Sequence, residues 1–366
     1  NHRSIEFKMN KIKVETINNP YEVVVGSNLI NQKNLDLLED KEVLLVMDEN
    51  IPSKYKDLIS DELLNISSNF QSLEIFASEE NKNGKTLDKI HSKLIDARYS
   101  RECVLVGFGG GITCDIAGFA AATYQRGVGF MLFPSTLLSQ VDASVGGKTA
   151  INHSQGKNMI GAFHQPIKVF ADLELLSSLP KVEISNGLSE VIKHALISDK
   201  KYFNWLEENM ESIISLKTEA LGYAITRSIE IKAEIVSKDE KEKGVRKFLN
   251  FGHTFGHSIE LYGGFKEFSH GQSVALGMLM AMELSKLTEG FSKEDLIKSK
   301  KLIGKANPDL NLKIAFDEKK LIENMSVDKK RAGNKIFFVL LEEIGQAKVK
   351  TDIDESSIVK AIQSLV

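Results

Sequence analysis

Short apolar runs that stop at turn residues open the pattern of this chain. "EVLLVMD", Glu42 to Asp48, is one, and "SLEIFA", Ser72 to Ala77, is another. "TLDKIHSKLIDARYS", Thr86 to Ser100, instead spaces its apolar residues at helical intervals. "CVLVGFGGG", Cys103 to Gly111, reads as a buried strand running into glycines. "ITCDIAGFAAATY", Ile112 to Tyr124, follows as a helix, and "GFMLFPST", Gly129 to Thr136, as a further strand. A short continuous apolar run bounded by turn chemistry marks a strand covered on both faces. Strands alternating with helices imply βαβ units and a parallel sheet, whose ligands bind at the carboxyl ends of the strands.

Beyond about residue 172 the period changes. "EISNGLSEVIKHALI", "TEALGYAITRSIEIKAEIVSKDE", "FLNFGHTFGHSIELYG" and "GQSVALGMLMAMELSKL" all repeat apolar residues every 3.6 positions. Only "KIFFVLL" and "AKVKT", near the end, have the texture of strands. The expected fold is α/β. A Rossmann-like parallel-sheet domain over residues 1–172 precedes a mostly α-helical domain over 173–366.

Composition narrows the class. The chain has 366 residues, 42% hydrophobic and 27% charged, which suits two packed domains. A net charge of -3 gives no global basic field, so nucleic acid is not expected as a partner. Cys103 and Cys114 lie in apolar surroundings and read as buried thiols in a reducing compartment. No apolar run approaches the ~18 residues of a membrane span, and no signal peptide is expected. "NHRSIEFK", ahead of Met9, reads as a non-native remnant and is left out of the fold expectation. The cytoplasm is the expected location.

"DASVGGKTA", Asp142 to Ala150, ends in the Gly-Lys-Thr of a phosphate-binding loop. That loop requires a glycine five residues ahead of the glycine before the lysine. Asp142 occupies the position, and its carboxylate would face the phosphates. The stretch is therefore not a nucleoside-triphosphate site. "GFGGGITCD", Gly107 to Asp115, stands between a strand and a helix, where backbone N–H groups can approach a phosphate. It does not fit G-x-G-x-x-G; only its context favours a dinucleotide over a plain tight turn.

Eight histidines are present, and His253, His257 and His270 lie close together in sequence. His253 and His257 are four apart and share a helical face. The pair resembles H-E-x-x-H, but Thr254 stands where the glutamate belongs, which excludes that kind of protease. A zinc site needs a further carboxylate or imidazole, and His270 and Glu190 are both available. His91, His153, His164 and His194 are expected to be structural. Cations gather near the glycines: Lys148 and Lys157 flank a loop, Arg126 follows the glycine-loop helix, and Lys193 neighbours Glu190. Lys232 and Arg246 come later. A run such as "SKDEKEKGVRK" is ordinarily a solvated helix end. With Asn158 and Asn250, these cations can form an anion pocket.

"PSTLLSQVDASVGGKTAINHSQGKNMIGAFHQP", "GLSEVIKHALI", "RKFLNFGHTFGHSIE" and "HGQSVALGM" together resemble the 3-dehydroquinate synthases, in order and from about Met9 to the end. The resemblance implies a carbon–oxygen lyase acting on a phosphate. It would convert 3-deoxy-D-arabino-heptulosonate 7-phosphate to 3-dehydroquinate and phosphate in the shikimate pathway. NAD would act catalytically with a divalent metal, Zn2+ or Co2+, in a cleft between the domains. It implies Glu190, His253 and His270 as metal ligands. His257 becomes a catalytic residue rather than a ligand, joined by Glu242, Lys148 and Arg126. Arg126 would reach the site of a partner subunit in a homodimer. Substrate contacts would fall to Asp142, Lys148, Asn158, Glu190, Lys193, Lys232, Arg246, Asn250, His270 and one of Lys329 and Lys330, with Lys330 preferred. NAD would rest on Asp48, Glu79, Lys82, Gly110, Gly111, Asp115, Ser135, Thr136, Lys148, Lys157, Leu175 and Ser178. "ASEENK", Ala77 to Lys82, departs from the family's usual Asp-Gly-Glu, and Ser135 replaces a common threonine while keeping a hydroxyl. Rival readings are a related sugar-phosphate cyclase of the 2-deoxy-scyllo-inosose type, a metal-dependent NAD alcohol dehydrogenase, and a non-catalytic binding protein.

Overall fold

The computed structural model describes residues 8–331 and 336–366, without the side chains of 327–331. The chain divides into two compact units: residues up to Pro180 together with Leu221–Lys241, and Lys181–Ala220 together with Glu242–Val366.

The first unit is built on a seven-stranded sheet. Its strands are β1 (Asn10–Val14), β2 (Tyr21–Gly26), β3 (Glu42–Asp48), β4 (Asn69–Ile75), β5 (Val104–Gly109), β6 (Gly129–Pro134) and β9 (Lys168–Asp172). A separate antiparallel hairpin joins β7 (Lys148–His153) to β8 (Gly156–Phe163). Helices α1 (Ser53–Ile66), α2 (Gly84–Asp96) and α3 (Gly111–Thr123) complete the βαβ alternation. The strand order is β1-β2-β9-β6-β5-β3-β4, and every pair but β1–β2 is parallel. β5 is buried along its whole length, as are the five middle residues of β3, which is why both read as unbroken apolar runs. Phe133 stacks on Phe170 at 4.9 Å in the core that β3, β5 and β6 share with α1. From β3 the chain passes by α1 to β4 on one side and returns by α2 to β5 on the other. β3/β5 is thus a switch point, the place where an open α/β sheet leaves a crevice at its carboxyl edge.

The second unit is mostly helical, as the 3.6-residue period predicts. It contains α4 (Lys181–Ser198), α5 (Lys200–Ile214), α7 (His253–Tyr262), α8 (His270–Thr288), α9 (Lys293–Ala306), α10 (Glu318–Arg331) and α11 (Glu355–Gln363). The hairpin β10 (Phe338–Glu343) and β11 (Gln346–Lys350) supplies the two late strands. Helix α6 (Thr218–Lys238) starts in this unit and has most of its length in the first. Among the described residues no helix is long and apolar enough to cross a membrane.

Candidate functional site

In the second unit, α4 is buried along most of its length and carries Glu190 with no exposed surface. A buried carboxylate is costly unless paired. Lys193, one turn further on and itself 1% exposed, places its ammonium against that carboxylate. Two other helices begin beside it. α7 opens at His253, and α8 opens at His270 behind Ser269, whose hydroxyl caps the helix in a reciprocal box with Gln272. Glycines allow the approach. A Cβ on Gly277 would lie 2.1 Å from the Gly252 carbonyl, so α7 and α8 cross almost backbone to backbone. A Cβ on Gly271 would lie 2.3 Å from Asn186 Cα, which seats the first turn of α8 on α4.

The result is a donor set. His253 Nε2 lies 3.5 Å and His270 Nε2 3.4 Å from Glu190 Oε1, and the three ligating atoms fall within 4.8 Å of one another. A tetrahedral zinc with bonds of about 2.0–2.1 Å separates its ligand atoms by about 3.3–3.4 Å. The far nitrogens fix the tautomers. His253 Nδ1–H donates to the Phe251 carbonyl at 3.1 Å, and His270 Nδ1–H to Glu260 Oε1 at 3.2 Å. Both Nε2 atoms are thereby turned toward Glu190, the orientation that metal ligation requires. Burial, reinforced by the Lys193 charge, holds His253 down at about 3, so its imidazole is neutral. Burial opposes protonation of His270 as well, but hydrogen bonds to Glu190 and Glu260 prevail and raise it to about 10. A divalent cation bound here would take the place of the Nε2 proton of His270. These residues fit a divalent cation with one carboxylate and two imidazoles, which leaves a fourth position open.

His257 does not join the donor set. It is exposed, and its ring meets His253 edge-on at 5.4 Å. Glu242 sits in the left-handed region (φ 58°) and accepts a hydrogen bond from Asn250 Nδ2 at 2.7 Å. Arg246, in a short turn running into Phe251, is 2% exposed. The charged run that suggested a solvated helix end is therefore solvated only in part: α6 stops at Lys238, and the arginine beyond it turns inward. Lys330, with Lys329, lies outside the described side chains.

In the first unit, most of the residues that the resemblance gives to NAD follow the carboxyl ends of strands, whereas Asp115 lies in α3 and Lys148 and Lys157 lie in the β7–β8 hairpin. Asp48 ends β3 and accepts from the Asn50 backbone N–H at 2.9 Å. Glu79 and Lys82 follow β4; Gly110 and Gly111 follow β5. Ser135 and Thr136 follow β6, while Leu175 and Ser178 follow β9. No side chain caps α3 at Gly110, so its first N–H groups remain available to an anion. Ser178 is exposed, whereas Leu175 packs into the sheet core.

Lys82 is 4% exposed; its ammonium meets the Asp115 carboxylate and donates to Asn158 Oδ1 at 2.6 Å. Burial pushes the Asp115 carboxyl up, and the Lys82 charge opposes that. Asn158, expected among the substrate contacts, is therefore tied to Lys82, expected at the nucleotide, and holds a left-handed conformation (φ 55°). Lys157 faces Glu79 at 3.6 Å. Lys232 pairs with Asp142 Oδ1 at 2.6 Å, and Asp142 itself belongs to a π-helical turn, Ser139–Ala143. Thr149 follows Lys148 into strand β7, whereas a phosphate-binding P-loop continues into a helix. The rejection of a nucleoside-triphosphate site therefore rests on topology as well as on Asp142. The loop that Lys148 and Lys157 flank is the turn of the β7–β8 hairpin, and Lys148 is exposed. Arg126 is exposed in a turn where Gln125, Arg126 and Gly127 all have positive φ (48°, 67° and 118°).

Three supporting residues escaped the sequence reading. Asn152 donates to Glu79 Oε2 at 2.8 Å and accepts from the Asn158 backbone N–H at 2.9 Å. Asn186 accepts from the Ser269 hydroxyl at 2.6 Å. Glu260 holds His270, and its one sequence signal is a spacing of two helical turns from His253 on the same face.

In fold, the chain is similar to two solved synthases. One is 2-epi-5-epi-valiolone synthase from Streptomyces hygroscopicus subsp. jinggangensis 5008 with NAD+ and Zn2+ bound: TM-score 0.87, 25% identity, covering 96% of this chain and 97% of that one. The other is 2-deoxy-scyllo-inosose synthase complexed with carbaglucose-6-phosphate, NAD+ and Co2+: TM-score 0.86, 22% identity, covering 97% and 99%. In sequence, residues 72–186 match the 3-dehydroquinate synthase N-terminal model and residues 187–331 the C-terminal model. The 3-dehydroquinate synthase of Haemophilus ducreyi is 39% identical over 357 residues, 97% of this chain and 99% of its own length. The chain belongs to the 3-dehydroquinate synthase family.

Proposed function

We propose that this chain converts 3-deoxy-D-arabino-heptulosonate 7-phosphate to 3-dehydroquinate and phosphate, with NAD as a recycled cofactor and Zn2+ or Co2+ as the metal. The observation that carries the proposal is the Glu190–His253–His270 donor set, built on three helices of a chain in this family. A bound divalent cation would polarise the substrate's hydroxyl and carbonyl oxygens and favour loss of the hydroxyl proton. Bound NAD would supply a hydride acceptor and donor; the ketone so formed would acidify the C–H beside it, and loss of that proton to a base of the protein would expel phosphate from the next carbon.

The remaining work falls to side chains of the protein. Asp48, Glu79, Lys82, Gly110, Gly111, Asp115, Ser135, Thr136 and Lys157, with Leu175 through its backbone and Ser178, hold the nucleotide along the carboxyl edge of the sheet. Lys148, as a compact exposed cation, and Asn158 serve the phosphate. Lys232 and Arg246 serve the carboxylate. The heptulosonate carries a carboxylate for these two cations to meet, which favours it over the carboxylate-free sugar phosphates of other cyclases. Asp142, Lys193 and Asn250 orient substrate hydroxyls; His257 and Glu242 move protons; Lys330 contributes from α10. Arg126, exposed on its preset turn, reaches the phosphate in the partner's site of a homodimer. The reaction is that of a carbon–oxygen lyase, and the cytoplasm is its setting.

The test is phosphate release from the heptulosonate phosphate, with NAD well below the substrate concentration and Zn2+ present. Turnover in excess of NAD is expected, and Lys148→Ala should abolish most of it while leaving bound metal and NAD in place. Cyclisation of a carboxylate-free sugar phosphate in preference to the heptulosonate would replace this reading with the rival cyclase.

A further inference from the structure

We infer that Glu260 is a positioning residue for the metal: its carboxylate sets the ring of His270 so that Nε2 is the ligating atom. The inference rests on the metal reading above and goes beyond its three ligands.

The geometry is a relay across two helices. Glu260 is 7% exposed, and its Oε1 accepts from His270 Nδ1–H at 3.2 Å. On the other side of the same ring, Nε2 lies 3.4 Å from Glu190 Oε1. His270 is the first residue of α8, with its side chain about one-third exposed. A first-turn side chain at that exposure is poorly confined by packing, so another contact must choose its rotamer. His253 needs no such help: its side chain is 11% exposed, and the Phe251 carbonyl holds its Nδ1.

α7 thus plays two parts. Its first residue, His253, donates directly to the metal position, and Glu260, two turns along the same face, orients the donor that α8 brings. A carboxylate behind a ligating imidazole also makes that imidazole a stronger donor, and loss of such a partner costs about 10–100-fold in metal affinity. Glu260 need not touch substrate, cofactor or metal to have this effect.

The test uses the full chain, stripped of metal by a chelator and titrated with Co2+. Visible absorption bands report the coordination, and competition against a chelator of known affinity gives the dissociation constant. Glu260→Ala should weaken Co2+ binding by about 10–100-fold and alter the band shape, with the circular dichroism of the fold unchanged. Glu260→Gln keeps an acceptor for Nδ1–H but loses the charge, so its loss should be smaller than that of alanine. Glu260→Asp withdraws the carboxylate by one methylene and should behave like alanine; it carries the test should the alanine variant not fold. His270→Ala, run beside them, should lose Co2+ binding outright. Wild-type affinity and spectrum in Glu260→Ala or Glu260→Asp, with binding lost in His270→Ala, would overturn the role of Glu260 and leave the metal site standing. Wild-type Co2+ affinity in His270→Ala would overturn the metal site itself.

Discussion

Both units bury a lysine against a carboxylate, and what surrounds each pair decides what it can do. In the second unit the side chains of Lys193 and Glu190 are 1% and 0% exposed, and two imidazoles converge on the carboxylate. In the first, those of Lys82 and Asp115 are 5% and 19% exposed, and the third partner is the amide of Asn158. Imidazoles are metal donors and amides are not strong ones, so only the first arrangement can concentrate a transition-metal ion. The Lys82 arrangement is a polar hub that ties the loop after β4 to helix α3 and strand β8. The pairs also differ in construction. Glu190 and Lys193 are neighbours on one helix, whereas 33 positions separate Lys82 from Asp115.

The sharpest way to break the comparison is Glu190→Ala. It removes one of the three proposed ligands and leaves the Lys193 ammonium buried without that carboxylate. The expected loss is about 3–5 kcal/mol of folding stability together with the bound metal. Urea melts and elemental analysis read the two separately. A stable variant with full metal occupancy would mean that Glu190 is neither ligand nor counterion.

Gly277→Ala attacks the same site from a distance. The new Cβ would press on the Gly252 carbonyl, and separating α7 from α8 should cost about 1–3 kcal/mol. Metal affinity should fall with it, because His253 and His270 open those two helices. Unchanged stability and unchanged Co2+ titration would show that the crossing relaxes without cost.

The first unit's pair is sharpened by pH. Lys82→Met should destabilise by about 1–3 kcal/mol at neutral pH, by leaving the Asp115 carboxylate without its ammonium. Burial already raises the Asp115 carboxyl above its ordinary range, and the substitution removes the opposing charge. A carboxyl raised in the folded state contributes stability at low pH that is lost as pH climbs through its folded value. The variant should therefore lie closer to the wild type at pH 4 than at pH 7 in urea melts. A deficit that grows on acidification would contradict the pairing.

The smallest effect is expected at the thiols. Cys103 and Cys114 are buried and unpaired, and burial pushes Cys103 up to about 12 and Cys114 higher. Burial disfavours the thiolate and shuts the reagent out, so a disulfide reagent should find no thiol until the protein is unfolded. Rapid labelling of the native chain would show an opening that the core packing does not suggest.

What the sequence disclosed follows the range of each signal. β3, β5, β6, α3, α4 and α8 were legible because their periods are local, and β3 spans the very residues of its apolar run. The antiparallel edge pair β1–β2 was not, since five- and six-residue strands at a sheet edge carry too few alternations. The β7–β8 hairpin was hidden by its glycines, which suit a loop equally well. Histidine spacing placed His253 and His257 on one face, but the partner that Glu190 meets beside His253 is His270, at the start of another helix. Residue type had already offered His270 and Glu190 as further ligands, and the family resemblance was what set His257 aside. The hold of Lys82 on Asn158 spans 76 positions and left no mark in any window of the sequence.

The turn bearing Arg126 has a consequence for how this surface can vary. Exposed loops ordinarily accept insertions and most substitutions. Here Gln125 and Arg126 both stand in the left-handed region, at a strain of about 1–3 kcal/mol each, and hydrogen bonds from Gly127 N–H to the Tyr124 carbonyl and from Val128 N–H to the Ala121 carbonyl close the loop around them. A valine or isoleucine at either position would clash with its own backbone. One extra residue would swing the guanidinium away from its heading. A library built across Gln125–Gly127 should return few survivors from a patch that exposure alone would mark as permissive, and glycine and asparagine should be over-represented among them.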